Sequence, residues 1–260
     1  MLGSALLFSQ PSDFSALMAD RYYVETPIEG SQARLLGAEA HHLAHVMRAK
    51  PGVEVTLFDG RGAEFLARVE KVGRSEIELA ILSCQQIDRE LDVSITLAVA
   101  LPKGDRQRWL AEKVVELGVA RLTPLQTERG NDRETPAGLD RLRRVVVEAS
   151  KQSGRNRLME ISGPVKLADF FSTHPGGASR WLAHPGAKDC RAVFAALQSL
   201  GQTPGEMLFA IGPEGGFSDA EVELAVAQGW QTIGLGERIL RVETAAVALA
   251  SAAMILLKKP

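Results

Sequence analysis

Hydrophobic residues along the chain follow two different patterns, and the change from one to the other predicts two domains. From residue 21 to residue 90 apolar and polar positions alternate in short runs, which is typical of half-buried β-strands. The predicted strands are Tyr22–Glu25, Ala33–Leu36, Val53–Phe58, Glu64–Val72 and Ile77–Leu82, with one helix at Ala38–Arg48. A small barrel with a presented helix is a plausible RNA-binding module, and a purely structural barrel fits the pattern equally well.

After a short linker at Glu90–Asp92, apolar strands alternate with longer helices. The run Val93–Leu101 is almost wholly apolar, as expected of a strand that is covered on both faces. Helices predicted at Asp105–Leu117 and Leu139–Ser150 follow, so the alternation favours an α/β fold with a mostly parallel sheet. The sequence therefore predicts a loose extension at residues 1–18, a β-rich domain at 19–90 and an α/β domain at 91–260.

A strand, a glycine loop and a helix start follow one another near the C-terminus. The apolar run Met207–Ile211 enters a loop with three glycines, and Ser218 and Glu221 then have the spacing of a helix capping box. Glycines let backbone approach a ligand closely, and a helix N-terminus offers unpaired N–H groups. This stretch is therefore a candidate binding loop.

A second loop of the same kind follows at once. The strand Thr232–Leu235 opens into residues 236–241, and a long helix begins near Glu243. Two such loops at the same end of neighbouring parallel strands would form a ligand crevice. From spacing alone, two ordinary strand–helix turns are an equally good interpretation.

Composition narrows the function classes. With 45% hydrophobic and 24% charged residues and a net charge of −2, the 260-residue chain has ordinary globular composition and no overall basic character. Its two cysteines form no CxxC pattern, and His41 and His45 lack an evident third ligand, so we expect neither disulfides nor a metal site. No apolar run reaches the roughly 18 residues of a membrane helix, and a cytoplasmic location is expected.

Positive charge is concentrated in one stretch. Residues 103–158 contain 13 Lys and Arg against 8 Asp and Glu, a net charge of +5. Such an excess can form a phosphate-binding surface, although a helix face with paired charges is an equally good interpretation. Within it, Arg155, Asn156 and Arg157 follow a glycine in a predicted loop, a combination suited to clamping phosphate or bases.

Several segments together resemble a known enzyme family. In chain order these segments are HHLAHVMR, WLAEKVVELGV, KQSGRNR, IGPEGGFSDAE and LGERILRVETAA. Together they resemble the bacterial 16S rRNA (uracil-1498-N3)-methyltransferases, which belong to the SPOUT class, and the last four stand in the order found in that family. The resemblance implies a PUA-like β-barrel that helps to bind RNA, followed by an α/β domain with a trefoil knot. It also implies S-adenosylmethionine (SAM) as cofactor, a homodimer, and 16S rRNA within the 30S subunit as substrate.

The resemblance also assigns individual residues. Those implied to hold SAM are Leu182, His184, Ile211, Gly212, Gly215, Gly216, Leu235, Gly236, Ile239 and Leu240. Those implied to contact RNA are Arg48 and Arg155, with Asn156 and Arg157 beside them.

Uracil N3 carries a proton, so methylation requires its removal or stabilisation of the resulting anion. We expect Arg241 to stabilise the anion, and Glu243 or Glu214 to act as a base or to orient the substrate. No metal is needed, because positioning of nucleophile and methyl group can supply much of the catalysis.

Other functions stay open at this point. A SPOUT methyltransferase that acts on a tRNA base or a ribose 2′-OH would have similar loops. A non-catalytic RNA-binding assembly factor could retain them as well. A nucleotide-binding α/β protein without an RNA role is disfavoured, since neither loop matches GxGxxG or a P-loop.

Overall fold

The computed structural model describes residues 20–130, 134–173, 179–199 and 205–256. The predicted extension at residues 1–18 lies outside these ranges. The chain divides into two compact units, residues 1–87 and 88–260. The division falls three residues before the sequence-based boundary at residue 90.

The first unit is a curled five-stranded sheet. Its strands are β1 Arg21–Tyr23, β2 Gln32–Leu36, β3 Glu54–Phe58, β4 Ala63–Val72 and β5 Glu76–Gln86, in the spatial order β1-β3-β4-β5-β2. Alternate residues such as Leu35, Leu57 and Leu79 point into its core, as the period-two pattern predicted. Among the described residues no pairing joins β1 to β2, so the predicted barrel is an open, curled sheet.

The predicted helix at Ala38–Arg48 is divided. Helix α1, Gly37–His41, continues into a π-helical turn at His42–Val46, whose wider winding places Leu43 in the core. The rings of His41 and His45 lie side by side, with centroids 4.7 Å apart. Arg48 follows in the left-handed conformation, at a φ of 53°.

The second unit contains a wholly parallel sheet. Its strands are β6 Ser94–Val99, β7 Arg121–Gln126, β8 Glu160–Ile161, β9 Val165–Lys166, β10 Ser179–Ala183, β11 Glu206–Ile211 and β12 Gln231–Ile233. The order is β12-β10-β11-β6-β7-β8, with β9 paired to β7. The helices are α2 Asp105–Glu116, α3 Pro136–Ser153, α4 Leu167–Ser172, α5 Cys190–Ser199, α6 Asp219–Ala227 and α7 Val242–Leu256.

Helix α3 is longer than the apolar pattern indicated. Thr135 caps its N-terminus by accepting a hydrogen bond from the Gly138 N–H (3.1 Å), and Pro136 takes the first helical position. Gly154 ends it in the left-handed conformation. These local signals, rather than the hydrophobic period, set both ends.

Both faces of the parallel sheet are covered, which explains its apolar runs. Ile95 and Leu97 of β6 contact a core shared with α2, α3 and α7, while Ala98 faces the opposite side. On that second side Phe170, Phe171 and Trp230 form the centre of the packing, with the two phenylalanine rings 5.5 and 4.8 Å from the indole. The strand ends of β10, β11 and β12 are thereby held side by side.

Candidate functional site

A cavity of about 410 Å³ opens at the carboxyl ends of β10, β11 and β12. Its volume lies within the roughly 300–1,000 Å³ of small-molecule sites. Nine of the ten residues implied to hold the cofactor line it: His184, Ile211, Gly212, Gly215, Gly216, Leu235, Gly236, Ile239 and Leu240. The two glycine loops therefore do meet, which is one of the two interpretations that their spacing left open.

Leu182 is the exception among these ten residues. It is fully buried near the C-terminal end of β10, packed on the α4–α6 side of the sheet, and does not line the cavity. Its part in the site is therefore indirect, because it holds the strand whose end carries His184.

The first glycine loop, residues 212–217, has a fixed internal structure. The Gly216 N–H donates to the Pro213 carbonyl at 2.8 Å, and Gly216 has a left-handed φ of +69°. A Cβ atom at Gly212 would lie 3.2 Å from the Phe217 ring, so the close packing favours glycine there too. The loop ends in the predicted capping box, in which the Ser218 N–H donates to Glu221 Oε2 at 2.8 Å.

A neighbouring loop that contains Glu128 and Arg129 holds the first glycine loop in place through hydrogen bonds. Arg129 Nη1 donates to the carbonyl oxygens of Gly215 (3.0 Å) and Phe217 (3.2 Å), and the Glu128 N–H donates to Glu221 Oε1 (2.8 Å). Arg129 also lines the cavity. Sequence reasoning missed its role, since only the basic excess of the stretch drew attention to it.

The second glycine loop is attached mainly at its start. Gly234 pairs with the loop after β10, donating to the Lys188 carbonyl (2.8 Å) and accepting from the Cys190 N–H (2.9 Å). A Cβ atom at Gly234 would lie only 2.6 Å from the Ala187 carbonyl oxygen. Beyond this junction the loop is open, and the Ile239 side chain is 84% exposed.

The predicted catalytic residue Glu214 lines the cavity and is linked to Arg106. The Arg106 Nη1 donates to Glu214 Oε1 at 3.0 Å. The strongest influence on the pKa of Glu214 is a hydrogen bond from its own backbone N–H, which lowers the pKa. Burial raises the pKa, and individually smaller effects of Arg106 and Arg241 lower it. Glu214 is consequently ionised at neutral pH and is a weak proton acceptor.

Glu243 and Arg241 lie outside the cavity lining. The Glu243 side chain is only 8% exposed; its Oε2 has no hydrogen-bond partner among the described residues and lies 3.6 Å from Arg106 Nη1. Arg241 is exposed and directly follows Leu240, which does line the cavity. In this arrangement Arg241 is accessible to a substrate, whereas Glu243 is not.

Arg155 and Asn156, predicted to contact RNA, are both buried. Arg155 Nη1 donates to the carbonyl oxygens of Val115 and Val119, each at 3.0 Å, and its guanidinium forms an ion pair with Glu90. Breaking a buried pair of this kind is costly. The structure therefore argues against direct RNA contact by Arg155 and Asn156, and gives Arg155 the role of fixing the C-terminal end of α2.

The two other predicted RNA contacts are differently placed. Arg48, after the π-helical turn of the first unit, is exposed, and so is Arg157 in the second unit. Both guanidinium groups are accessible to phosphate.

The described ranges contain neither a metal-binding cluster nor a membrane-spanning helix. No group of three or more His, Cys, Asp or Glu side chains there is arranged to hold a metal ion. The helices of the same residues are all too short or too polar to cross a bilayer.

Comparison with known proteins accounts for both units. Residues 89–254 match the RNA methyltransferase domain family, and residues 35–82 match the RNA methyltransferase PUA domain family. The ribosomal RNA small subunit methyltransferase E of Synechocystis is 33% identical over 249 residues, which are 95% of this chain and 81% of the relative. This chain belongs to the ribosomal RNA small subunit methyltransferase E family.

Solved structures agree with that membership. The family member from Neisseria gonorrhoeae, bound to S-adenosyl methionine, has a TM-score of 0.82 and 30% identity, covering 92% of this chain and 98% of its own. A methyltransferase from Legionella pneumophila in complex with SAM gives 0.81 and 31%, covering 91% and 97%. The expected fold class, a SPOUT-type α/β domain after a PUA-like unit, is confirmed.

Proposed function

We propose that this protein transfers a methyl group from SAM to N3 of a uridine in 16S rRNA, at the position of the family's 1498-type target. The observation that carries the proposal is the cavity formed jointly by the two glycine loops at the ends of β10, β11 and β12. Relatives named as ribosomal RNA small subunit methyltransferases support the rRNA substrate, and neighbours solved with SAM support the cofactor.

The cavity has the chemistry that SAM requires. Ile211, Leu235 and Leu240 offer apolar surface for a flat adenine ring. Cβ atoms at Gly216 and Gly236 would meet no other atom within 4 Å, and both residues have positive φ, so the backbone there faces open space. When bound, SAM would supply a methyl group on a sulfonium, which is attacked in line by the nucleophile.

Three charged residues at or near the cavity would have different roles in the reaction. Arg241, exposed beside the cavity lining, would stabilise the negative charge that develops on the uracil when N3 loses its proton. Glu214, with its lowered pKa, would orient groups rather than accept the proton. Glu243 is buried against Arg106 and would act through that contact rather than on the base.

RNA would bind through phosphate contacts from basic side chains such as Arg48 and Arg157, both exposed. The enzyme would work as a homodimer on the 30S subunit in the cytoplasm. Because such binding releases counterions, its affinity should fall steeply with salt. The target base would have to leave its stack, at a cost of a few kcal/mol.

The test is transfer of a tritiated methyl group from SAM to isolated 30S subunits, to naked 16S rRNA and to tRNA. The modified nucleotide is then mapped. We expect label in 16S rRNA of 30S subunits, on N3 of one uridine, and titration calorimetry should give binding of SAM but not of NAD or ATP. Label confined to tRNA or to a ribose 2′-OH would overturn the substrate assignment. SAM binding without transfer to any RNA would instead favour a non-catalytic assembly factor.

A further inference from the structure

Arg106, in the first turn of α2, lies between carboxylates that come from both glycine loops. Its Nη1 is 3.0 Å from Glu214 Oε1, in the first loop, and 3.6 Å from Glu243 Oε2, at the helix start that ends the second loop. Arg106 itself does not line the cavity. One cation on a third element thus joins the two walls of the cavity.

The two contacts differ in strength because their environments differ. The Glu214 side chain is 58% exposed, and an exposed ion pair contributes little. The Glu243 side chain is 8% exposed, and an ionised carboxylate in such a place is unfavourable unless a positive charge is near. The N-terminus of α7 contributes part of that compensation, since Glu243 lies in its first turn.

Arg241, the basic residue nearest to Glu243 in the sequence, is not placed to replace Arg106 as the partner of that carboxylate. Arg241 lies two residues before Glu243 but is exposed to solvent, and no ion pair joins the two within the described part of the chain. Arg106 is the ion-pair partner of the buried Glu243 Oε2, which accepts no hydrogen bond from the described residues. Loss of Arg106 would leave this carboxylate buried without a paired charge.

We propose that Arg106 is a positioning residue for the cofactor, acting through Glu214 and Glu243 to hold the two glycine loops at the separation that the ligand needs. The inference rests on the proposed function, because it assumes that the cavity binds SAM. It predicts that removing the Arg106 guanidinium weakens SAM binding through displacement of the loops. It also predicts that neutralising Glu243 makes Arg106 less necessary.

The experiment measures SAM affinity by titration calorimetry for wild type, Arg106→Ala, Arg106→Lys and the matched control Arg108→Ala. Arg108 lies two residues further along the same helix, is exposed, and does not line the cavity. We expect Kd to rise about tenfold for Arg106→Ala, a loss of about 1.4 kcal/mol, and about threefold for Arg106→Lys. Arg108→Ala should bind SAM as wild type does.

The decisive variant is Arg106→Ala combined with Glu243→Gln. Since this combination removes the buried charge as well as its partner, we expect it to bind SAM more tightly than Arg106→Ala alone. If Arg106 only stabilised the fold from the surface, adding Glu243→Gln to Arg106→Ala would not restore SAM affinity. Circular dichroism and thermal melting identify any variant that fails to fold, and Glu243→Gln with Arg106→Lys then makes the same comparison.

Two results would overturn the inference while leaving the proposed function intact. One is unchanged SAM affinity in Arg106→Ala; the other is a double variant that binds no better than Arg106→Ala. Wild-type protein that does not bind SAM would contradict the proposed function itself, and the inference with it.

Discussion

The two glycine loops look alike in the sequence but differ in how they are held. The first, residues 212–217, receives hydrogen bonds from Arg129, contacts Arg106 through Glu214, and runs into a capped helix. The second, residues 235–240, is joined to its surroundings at Gly234, and its own residues form no hydrogen bond within the described chain. One wall of the cavity is therefore held along its length, whereas the other is held only at its two ends, by Gly234 and by the Glu243–Arg106 contact.

This difference has an energetic meaning. A loop already held in its bound shape loses little conformational entropy when a ligand binds, whereas an exposed loop must be ordered at that moment. We therefore expect the first loop to determine where SAM lies, and the second to close over it. Substitutions in the two loops should then affect different measured quantities.

The largest effect should come from Gly234→Ala, at the junction that anchors the second loop. The new Cβ would lie 2.6 Å from the backbone oxygen of Ala187, which cannot move without displacing the paired segment. Overpacking of this kind costs about 1 to 3 kcal/mol. Urea denaturation should register that loss in the free energy of unfolding, and the displaced loop should bind SAM more weakly.

Gly163→Ala is the control for this change. Gly163 is exposed, and a Cβ there would meet nothing within 4 Å. The free energy of unfolding of Gly163→Ala should match that of wild type within about 0.5 kcal/mol. Equal stability of the two alanine variants would contradict the proposed anchor.

Arg129→Ala comes next in size and tests the attachment of the first loop. The variant loses two charge-assisted hydrogen bonds to loop carbonyls, so the loop should become mobile in the free protein. We expect Kd for SAM to rise about tenfold, which corresponds to about 1.4 kcal/mol. Titration calorimetry measures it, with Arg141→Ala on the exposed face of α3 as the matched arginine control.

If Arg129→Ala bound SAM as tightly as Arg141→Ala, the first loop would not depend on its outer attachment. The contrast between the two loops would then lose its main support.

A smaller effect is expected from Ile239→Ser in the second loop. Ile239 lines the cavity yet is 84% exposed, so its apolar surface is available to cover a bound ligand. Burial of about 25 to 30 Å² of apolar Ile239 surface on loop closure would contribute about 0.7 kcal/mol to SAM binding, or about threefold in the KM for SAM. Steady-state methyl transfer should show this change while the melting temperature stays that of wild type.

Val226→Ser provides the comparison for Ile239→Ser. Val226 is also a largely exposed apolar residue, but it lies on α6 and does not line the cavity. A matching rise in KM in both variants would mean that surface hydrophobicity in general, rather than loop closure, is responsible.

The smallest effect should be that of Glu214→Gln on the pH dependence of kcat/KM. The pKa of Glu214 is held below its usual range, first by its own backbone N–H and then by Arg106 and Arg241. The carboxylate is therefore ionised at every pH above its ordinary pKa, and its ion pair is lost only as pH falls through the lower folded value. Between about pH 5 and 9, the kcat/KM profile should keep its wild-type shape.

Loss of a general base would lower the rate by roughly 10² to 10⁴-fold. A decrease of only a few-fold in Glu214→Gln would agree with an orienting role. Disappearance of one limb of the profile, or a loss of about a hundredfold, would make Glu214 the base after all.

Much of the site could be predicted from local sequence because its signals are local. The capping box at Ser218 and Glu221 formed as its spacing indicated, and the glycines met at one cavity because carboxyl ends of parallel strands share a sheet edge. Arg155 could not be judged in the same way. Whether a guanidinium in a loop faces solvent or the partly buried Glu90 depends on packing that no local pattern contains.

The sequence by itself determined the two-domain division, the parallel α/β architecture and the two glycine loops, because periodicity and turn chemistry act between near neighbours in the chain. Only the tertiary structure decided that Arg106 joins Glu214 to Glu243 and that Arg129 holds the first loop. Arg106 and Glu214 are 108 positions apart, so their contact exists only once the sheet has brought the strand ends together. The glycine loops define where a ligand can lie, and these distant arginines define how firmly each wall is held.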